Sequence, residues 1–229
     1  FSMAGVLFIS FISSCGKGAI LLPASNTLYQ VINLSPDLLP VDLYIDRTKK
    51  NTTPFIYANP SGYFALTSLD PPFQIRSASI LASTDNLISI PDTLHNNVRY
   101  TLFITGLRNA VRAQDTVSYI LTTDTAAITT VGRGKVRFVN ASPGATMFDV
   151  TANGTLAFSN IPYKKVSPFI ELPPGNYDFK AYPNGSPTNI LSDLTPVTVQ
   201  DGKIYTLYCR GVVGRTDSAA YTLAILNNN

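Results

Sequence analysis

The sequence contains no tryptophan, one histidine and two cysteines, and only 14% of its 229 residues are charged. A single histidine, His95, excludes most zinc sites, because such sites take several ligands from His and Cys. We read His95 as an exposed loop residue. The net charge of +3 is too small and too evenly spread for a nucleic-acid-binding protein. We therefore expect no nucleic-acid partner, and no cofactor.

Small polar residues, glycine, proline and the smaller aromatics are abundant instead. The chain has 14 Gly, 16 Pro, 12 Tyr and 12 Phe, and Ser, Thr and Asn supply most of the polar surface. This composition is typical of a turn-rich β protein from outside the cell. The length allows one large domain or two small ones.

The N-terminal segment predicts the location of the protein. An apolar stretch, residues 3–12, leads through two serines to Cys15 and Gly16. The stretch is shorter than the roughly 20 residues that span a bilayer, and small residues after such a stretch are typical of a signal-peptide cleavage region. The block from Ile12 to Gly16 resembles a bacterial lipobox. The alternative is an ordinary cysteine at the end of a frayed helix.

The lipobox interpretation leads to three expectations. Residues 1–14 are a signal peptide, truncated because its basic region is missing, and residues 15–27 are a tether. Cys15 carries the lipid, since a thiolate can accept a diacylglyceryl group and two acyl chains suffice for stable anchoring. The protein then lies outside the cytoplasm, attached to the outer membrane through its N-terminal lipid, on the periplasmic or the surface face.

The remaining chain repeats one pattern. Asn33-Leu34-Ser35-Pro36 returns as Asn140-Ala141-Ser142-Pro143, and Tyr100-Thr101-Leu102 returns as Tyr205-Thr206-Leu207. The order of the matching segments never breaks, and each copy has the size of a small β-sandwich. The repeat predicts one domain over residues 28–123, a linker over 124–134 and a second domain over 135–229.

Period-two alternation in both copies predicts strands. Tyr205, Leu207 and Cys209 share one face of a strand, and Cys209 takes the position that Ile104 has in the first copy. An apolar position predicts a buried, unreactive thiol. A hairpin turn is expected at Asn153-Gly154. The predicted fold is all-β: two tandem antiparallel β-sandwiches of the immunoglobulin-like or transthyretin-like kind.

These motifs resemble a bacterial family known as domain of unknown function 4397. The likeness rests on strand-Asn-x-Ser-Pro, on an Asp in the next strand, and on the segments Leu-Pro-Pro-Gly-Asn-Tyr and Gly-Lys-Ile-Tyr-Thr-Leu of the second copy. It covers most of residues 28–226, and the first copy is the more divergent. The resemblance implies a secreted or lipid-anchored β-sandwich protein, frequent in Bacteroidota, and no activity.

One carboxylate recurs within an apolar strand of each copy. It is either part of a ligand or cation site, or a structural acceptor for backbone N–H groups of the Asn-x-Ser-Pro turn, because a buried charge must be paired or hydrogen-bonded. We favour the structural role. The residues of this turn-and-carboxylate set are Asn33, Ser35, Asp42, Asn140, Ser142 and Asp149.

Five further residues are candidates for contacts with a ligand. Tyrosines on a sheet could stack on sugars or pack within the protein, and one loop has the composition of an exposed tip. These candidates are Tyr57, Tyr63, Tyr163, Tyr182 and Asn184.

Three functions remain open at this point. The first is a non-catalytic, lipid-anchored cell-envelope protein with a binding, adhesion or structural role and a protein or glycan partner. The second is a glycan-binding accessory module of an outer-membrane system. The third, least favoured, is a hydrolase that uses Asp42 or Asp149, although catalytic carboxylates work in pairs and each copy offers one. We expect no enzymatic activity.

Overall fold

The computed structural model describes residues 26–79, 86–125, 130–144 and 147–228. Within these residues the chain forms sixteen strands and one 3-10 turn, Ala113–Asp115. The expected signal peptide, Cys15 and most of the tether lie outside the described residues, as do residues 126–129 of the expected linker. The predicted all-β class is confirmed. The described part contains no helix that is long and apolar enough to cross a membrane.

Eight strands form the first copy of the repeat. They are β1 (Leu28–Asn33), β2 (Val41–Ile45), β3 (Thr48–Lys49), β4 (Phe64–Ala65), β5 (Phe73–Ser77), β6 (Asn86–Ile90), β7 (Arg99–Thr105) and β8 (Ser118–Thr123). Eight more form the second copy. They are β9 (Gly134–Asn140), β10 (Met147–Ala152), β11 (Thr155–Pro162), β12 (Ile170–Leu172), β13 (Gly175–Pro183), β14 (Ser192–Val199), β15 (Ile204–Arg210) and β16 (Thr222–Asn227).

Each copy is a sandwich of two four-stranded sheets. We call the sheets β4-β1-β7-β8 and β12-β9-β15-β16 the inner sheets. The sheets β3-β2-β5-β6 and β11-β10-β13-β14 are the outer sheets. The two tandem β-sandwiches are therefore confirmed. The sheets are not wholly antiparallel, because β1 runs parallel to β7 and β9 runs parallel to β15.

Three apolar clusters separate four layers. One lies between the sheets of the first copy and another between the sheets of the second. The third joins the two inner sheets and contains Ile32, Phe103, Val139 and Tyr208. We call this interface between the copies the seam. Because of the seam, β7 and β15 are buried on both faces, and their apolar content is higher than that of a half-exposed strand.

Local signals that predicted turns and buried positions agree with the structure. Asn153 and Gly154 have φ values of 50° and 78° and close a two-residue hairpin in which Ala152 faces Thr155. Cys209 is fully buried, and it faces Asn140 as Ile104 faces Asn33. The predicted burial of Cys209 and the predicted hairpin are confirmed.

The inner strands give the molecule two distinct ends. Strand β1 begins at Leu28 at the end that also holds Asp124 and Asn228, which we call the proximal end. At the opposite, distal end lie the loops that follow β1, β7, β9 and β15. Thr105 of the first copy donates a hydrogen bond to the Ala141 carbonyl of the second at 2.7 Å. The distal loops of both copies therefore lie side by side.

Candidate functional site

The Asn-x-Ser-Pro motif has the same structural task in both copies. The side-chain oxygen of Asn33 accepts a hydrogen bond from the Ser35 N–H at 3.1 Å, and the Ser35 hydroxyl donates to the Gly106 carbonyl at 2.7 Å. Asn140 and Ser142 repeat both bonds at 3.2 and 2.7 Å, the second one to Gly211. The motif thus ties the end of the first strand to the loop of a neighbouring strand.

Asp42 is hydrogen-bonded and ion-paired, but the prediction that its partners come from the Asn-x-Ser-Pro turn is wrong. Its carboxylate accepts a hydrogen bond from the Asn51 amide at 2.8 Å and pairs with the Lys49 ammonium at 2.7 Å. Both partners come from the strand and loop after β2, and not from the Asn-x-Ser-Pro turn. The reason is topological, because β2 belongs to the outer sheet while that turn closes the inner sheet.

Asp149 also binds loops of its own copy and not the expected turn. It accepts hydrogen bonds from the Asn160 N–H at 2.7 Å, from the Asn184 amide at 3.0 Å and from the Gly185 N–H at 3.2 Å. Burial alone would raise the pKa of Asp149, but these hydrogen bonds outweigh it and lower the pKa below its ordinary value of 3.8. Asn184 is therefore already engaged, as a donor to Asp149.

None of the four candidate tyrosines offers a fully exposed ring. Tyr182 is buried, and Tyr57, Tyr63 and Tyr163 are half-buried. The Tyr63 hydroxyl donates to Asp124 at 2.7 Å. The structure places Tyr57 and Tyr163 at the distal end of the seam and Tyr63 at its proximal end. Tyr182 lies in the outer sheet of the second copy.

The seam is reciprocal, because equivalent residues of the two copies occupy it. Phe103 and Tyr208 occupy equivalent positions of β7 and β15, and their ring centroids lie 5.6 Å apart. Ile32 and Val139 are likewise equivalent and fully buried. The same inner face of each sandwich therefore packs on its counterpart.

A buried ion pair closes the proximal end of the seam. The Arg137 guanidinium, from β9, pairs with the Asp124 carboxylate, which follows β8, and their side chains are 5% and 0% exposed. Arg137 also donates to the Thr123 carbonyl at 2.8 Å and to the hydroxyls of Thr122 and Thr206 at 3.0 and 2.9 Å. Burial lowers the pKa of Arg137, whereas the Asp124 charge opposes that shift.

The sequence did not reveal this ion pair. The predicted linker, residues 124–134, includes Asp124, and Arg137 stands between the apolar positions Val136 and Phe138 of β9. The available signal was the apolar content of the opposite face of β1, β7 and β9, which a one-sided strand does not need.

Two equivalent tyrosines at the distal end of the seam, Tyr163 and Tyr57, have different partners. The Tyr163 hydroxyl lies 3.2 Å from the Thr105 hydroxyl of the other copy, within hydrogen-bond distance. Burial raises the pKa of Tyr163 to about 12. Tyr57 occupies the equivalent place on the other side and faces Arg210, whose guanidinium lies 5.6 Å from the centre of the ring.

The distal loops are rich in arginine. Arg108 and Arg112 follow β7, and Arg210 and Arg215 lie at the end of β15 and after it. Arg112 pairs with the buried Asp115, and Arg215 pairs with the exposed Asp217. Among the described residues, Arg210 has no carboxylate partner.

A groove opens on the side of the first copy. Its volume is about 460 Å³, and its lining includes Phe55, Ile56 and Phe64 together with Lys50, its only charged residue. The short strands β3 and β4 border it, whereas the corresponding β11 of the second copy continues for eight residues. The first copy therefore has an open side where the second has a continuous strand.

His95 is exposed, and the backbone N–H of this residue donates to the Tyr100 hydroxyl at 3.1 Å.

Burial raises the pKa of the Cys209 thiol to about 12, so the thiol stays protonated at neutral pH. Within residues 26–79, 86–125, 130–144 and 147–228, no group of three or more His, Cys, Asp or Glu side chains could hold a metal ion.

The comparison with protein families agrees with the duplicated architecture. The family model described as Domain of unknown function (DUF4397) matches residues 28–146 and, a second time, residues 134–229. The first match extends through β9, the first strand of the second copy. A comparison with curated proteins finds no match.

Proposed function

We propose a function from the premise that this chain belongs to the DUF4397 family, whose domain it carries twice in tandem. The chain is, on this proposal, a non-catalytic, lipid-anchored protein of the cell envelope that binds a partner in adhesion or envelope assembly. The seam carries the proposal, because an apolar interface and a buried ion pair hold the two sandwiches as one body.

The direction of the chain supports a binding role for the distal loops. Strand β1 begins at the proximal end, so a lipid on Cys15 would hold that end toward the membrane. The distal loops of both copies would then face away from it. Loops on a rigid scaffold are common binding sites, because the sheets fix their positions.

The positions of Asp42 and Asp149 support the absence of catalysis. The two carboxylates lie in the outer sheets of different copies, with both inner sheets between them. At about 10 Å per sheet spacing, their separation far exceeds the roughly 5–10 Å of a glycosidase carboxylate pair. Each is also bound to loops of its own copy. A hydrolase based on this pair has no geometric support.

The test of the anchor uses the chain behind a complete secretory leader. We expect the exported protein to partition into the detergent phase of a Triton X-114 separation, and mass spectrometry to find acyl chains on Cys15. Cys15→Ser should move the protein to the aqueous phase, whereas Cys209→Ala, the control for loss of a thiol, should not. An exported chain with a free thiol at Cys15 would contradict the proposal.

A glycan-binding role remains the second candidate because of the side groove. An aromatic and amide-lined groove of about 460 Å³ has the size of a small-ligand site. Phe55 and Phe64 stack with 6.3 Å between their centroids beside it. A glycan array with wild type and with Phe64→Ser tests this role, and the absence of any signal for wild type would eliminate it.

A further inference from the structure

The hydroxyl of Tyr57 is buried and has no hydrogen-bond partner among the described residues. Few buried polar groups in native proteins lack a partner, and such a group indicates a bound molecule or an internal constraint. The Arg210 guanidinium lies over the same ring, with 5.6 Å between its central carbon and the ring centre. No hydrogen bond joins this guanidinium to another described side chain. A buried hydroxyl and a guanidinium therefore lie on the same ring, and neither has a hydrogen-bond partner among the described residues.

On the other side of the seam, the equivalent tyrosine, Tyr163, has the hydrogen-bond partner that Tyr57 lacks. There Tyr163 meets the Thr105 hydroxyl at 3.2 Å, and Thr105 itself donates to the Ala141 carbonyl at 2.7 Å. Thr105 stands in β7 where Arg210 stands in β15. The duplication thus provides an internal reference: the same tyrosine is satisfied in one copy and unsatisfied beside an arginine in the other.

A third hydroxyl lies near this pair. Tyr208 is the seam counterpart of Phe103, so only the Arg210 side of the seam carries a phenol at this position. Tyr208 and Arg210 stand two residues apart in β15 and therefore share one face of this strand, and Arg210 lies over the Tyr57 ring. Tyr57, Tyr208 and Arg210 thus place two hydroxyls and a guanidinium on the same side of the seam.

The charges nearby favour an anion at this point. The Asp217 carboxylate is engaged by Arg215, and the Asp37 carboxylate accepts hydrogen bonds from the backbone N–H groups of Arg108 and Asn109 at 2.9 and 3.3 Å. Neither of these carboxylates pairs with Arg210. A cation would meet Arg210 and Arg215, and is therefore disfavoured.

We propose that Tyr57, Tyr208 and Arg210 form a binding site for a carboxylate of the partner, at the distal end of the seam. A guanidinium binds a carboxylate through two parallel N–H donors, and a phenol hydroxyl can donate a further hydrogen bond. The Arg210 guanidinium lies over the Tyr57 ring, and in this proposal it turns toward the incoming carboxylate and opens access to the buried Tyr57 hydroxyl.

This inference rests on the proposed binding role and names the chemistry that the partner presents. The partner that fits is a protein with an acidic side chain, because the methylene stem of Asp or Glu lets the carboxylate reach toward the buried Tyr57 hydroxyl, whereas a uronic acid carries its carboxylate directly on the sugar ring. The lipid anchor does not enter the test, so a negative result here would leave the anchoring of Cys15 unaffected.

The test follows the backbone amide resonances of Cys209 and Gly211, which Arg210→Gln retains, together with the Arg210 Nε–Hε resonance of the other variants, in NMR titrations of the full chain with acetate, tetraglutamate and trigalacturonate. We expect a saturable shift with all three, with affinity for acetate in about the millimolar range. We expect tetraglutamate to bind more tightly than trigalacturonate, and tighter binding of trigalacturonate would overturn the assignment of a protein partner. Tyr57→Phe should weaken binding roughly tenfold, as expected for one hydrogen bond to a charged group, and Arg210→Gln should abolish it.

Tyr163→Phe is the matched control, because it removes the same atom from the equivalent residue on the satisfied side. We expect this variant to bind all three probes as wild type does. Absence of a saturable shift in wild type would overturn the proposal. Equal weakening by Tyr57→Phe and Tyr163→Phe would overturn it as well, since binding would then reflect the general positive charge of the distal end. Circular dichroism of each variant verifies its fold.

Discussion

Replacing either member of the buried Asp124–Arg137 pair tests whether the seam holds the two copies together. Asp124→Asn and Arg137→Gln are the chosen substitutions, because Asn228 and Gln30 occupy the equivalent positions of the other copy. Each side chain is therefore replaced by one that the repeat already accommodates. The shape of the site changes little, and the charge is what is removed.

The expected loss of stability follows from the burial of the two side chains. The two side chains are 5% and 0% exposed, and breaking a buried ion pair by removing one partner costs about 3–5 kcal/mol, because the other charge stays buried. In the Asp124→Asn variant the amide oxygen would still accept a hydrogen bond from Arg137, so we expect each single variant near the lower limit, about 3 kcal/mol. For a chain of this length, that corresponds to a fall in Tm of roughly 6–12 °C.

The assay is urea denaturation of wild type, both single variants and the double variant. The double variant has no unpaired charge, so its loss of stability should be smaller than the sum of the two single losses, by about 0.5–3 kcal/mol. Asp217→Asn is the control, because the Arg215–Asp217 pair is exposed and solvent screening should leave its loss far smaller. Additive single losses, or losses no larger than that of Asp217→Asn, would refute the reasoning.

Three further predictions follow from single sites. Gly211→Ala should destabilise the protein far more than Gly154→Ala; both glycines have φ near 75°, but an added Cβ at Gly211 meets a backbone oxygen at 2.2 Å and at Gly154 meets nothing. Urea midpoints measure the difference, and equal losses would contradict it. In a Cys15→Ser background, Cys209 should react with Ellman's reagent only in denaturant, because the thiol is buried and protonated; rapid reaction of the native protein would contradict this. Asp149 has a lowered pKa in the folded state, so its contribution to stability is present above pH 3.8 and is lost as the pH falls through the folded-state pKa. In Asp149→Asn, the free energy of unfolding should therefore fall less between neutral and strongly acidic pH than it does in wild type, as measured by thermal unfolding. An equal fall in both proteins would refute this prediction.

The repeat and the alternation within its strands made the two sandwiches predictable, but they did not predict how the sandwiches pack on each other. Alternation in one strand identifies a core-facing side, as for Tyr205, Leu207 and Cys209, but it does not say what covers the other side. Thr206 and Tyr208 lie on that other side, and their hydroxyls are compatible with an exposed face as well as with a buried one. In the structure they are buried against the first copy. Which face of a domain meets its neighbour depends on tertiary packing that no local pattern encodes.

The carboxylates illustrate a second limit. The prediction that Asp42 and Asp149 serve the structure followed from the cost of an unpaired buried charge, and their bonding within their own copies agrees with it. Their partners could not be predicted, because Asn51 reaches Asp42 from a loop nine residues away and Asn184 reaches Asp149 from one 35 residues away. The residue type shows that a buried carboxylate needs a hydrogen-bond partner, whereas the conformation of the loops determines which residue is that partner.

The seam also explains why the two copies differ where they meet. If the second domain paired with another second domain, Arg137 would face Asn228 in place of Asp124, and its charge would be buried without a counter-ion. If the first paired with another first, Asp124 would face Gln30. Two second domains would bury two Arg137 side chains without a counter-ion, and two first domains would bury two Asp124 side chains, each at a cost of several kcal/mol; only the unlike pair joins one Arg137 to one Asp124. Divergence at these two positions therefore favours pairing of a first domain with a second domain over pairing of two like domains, and each such pair has one Tyr57–Arg210 site and one Tyr163–Thr105 contact.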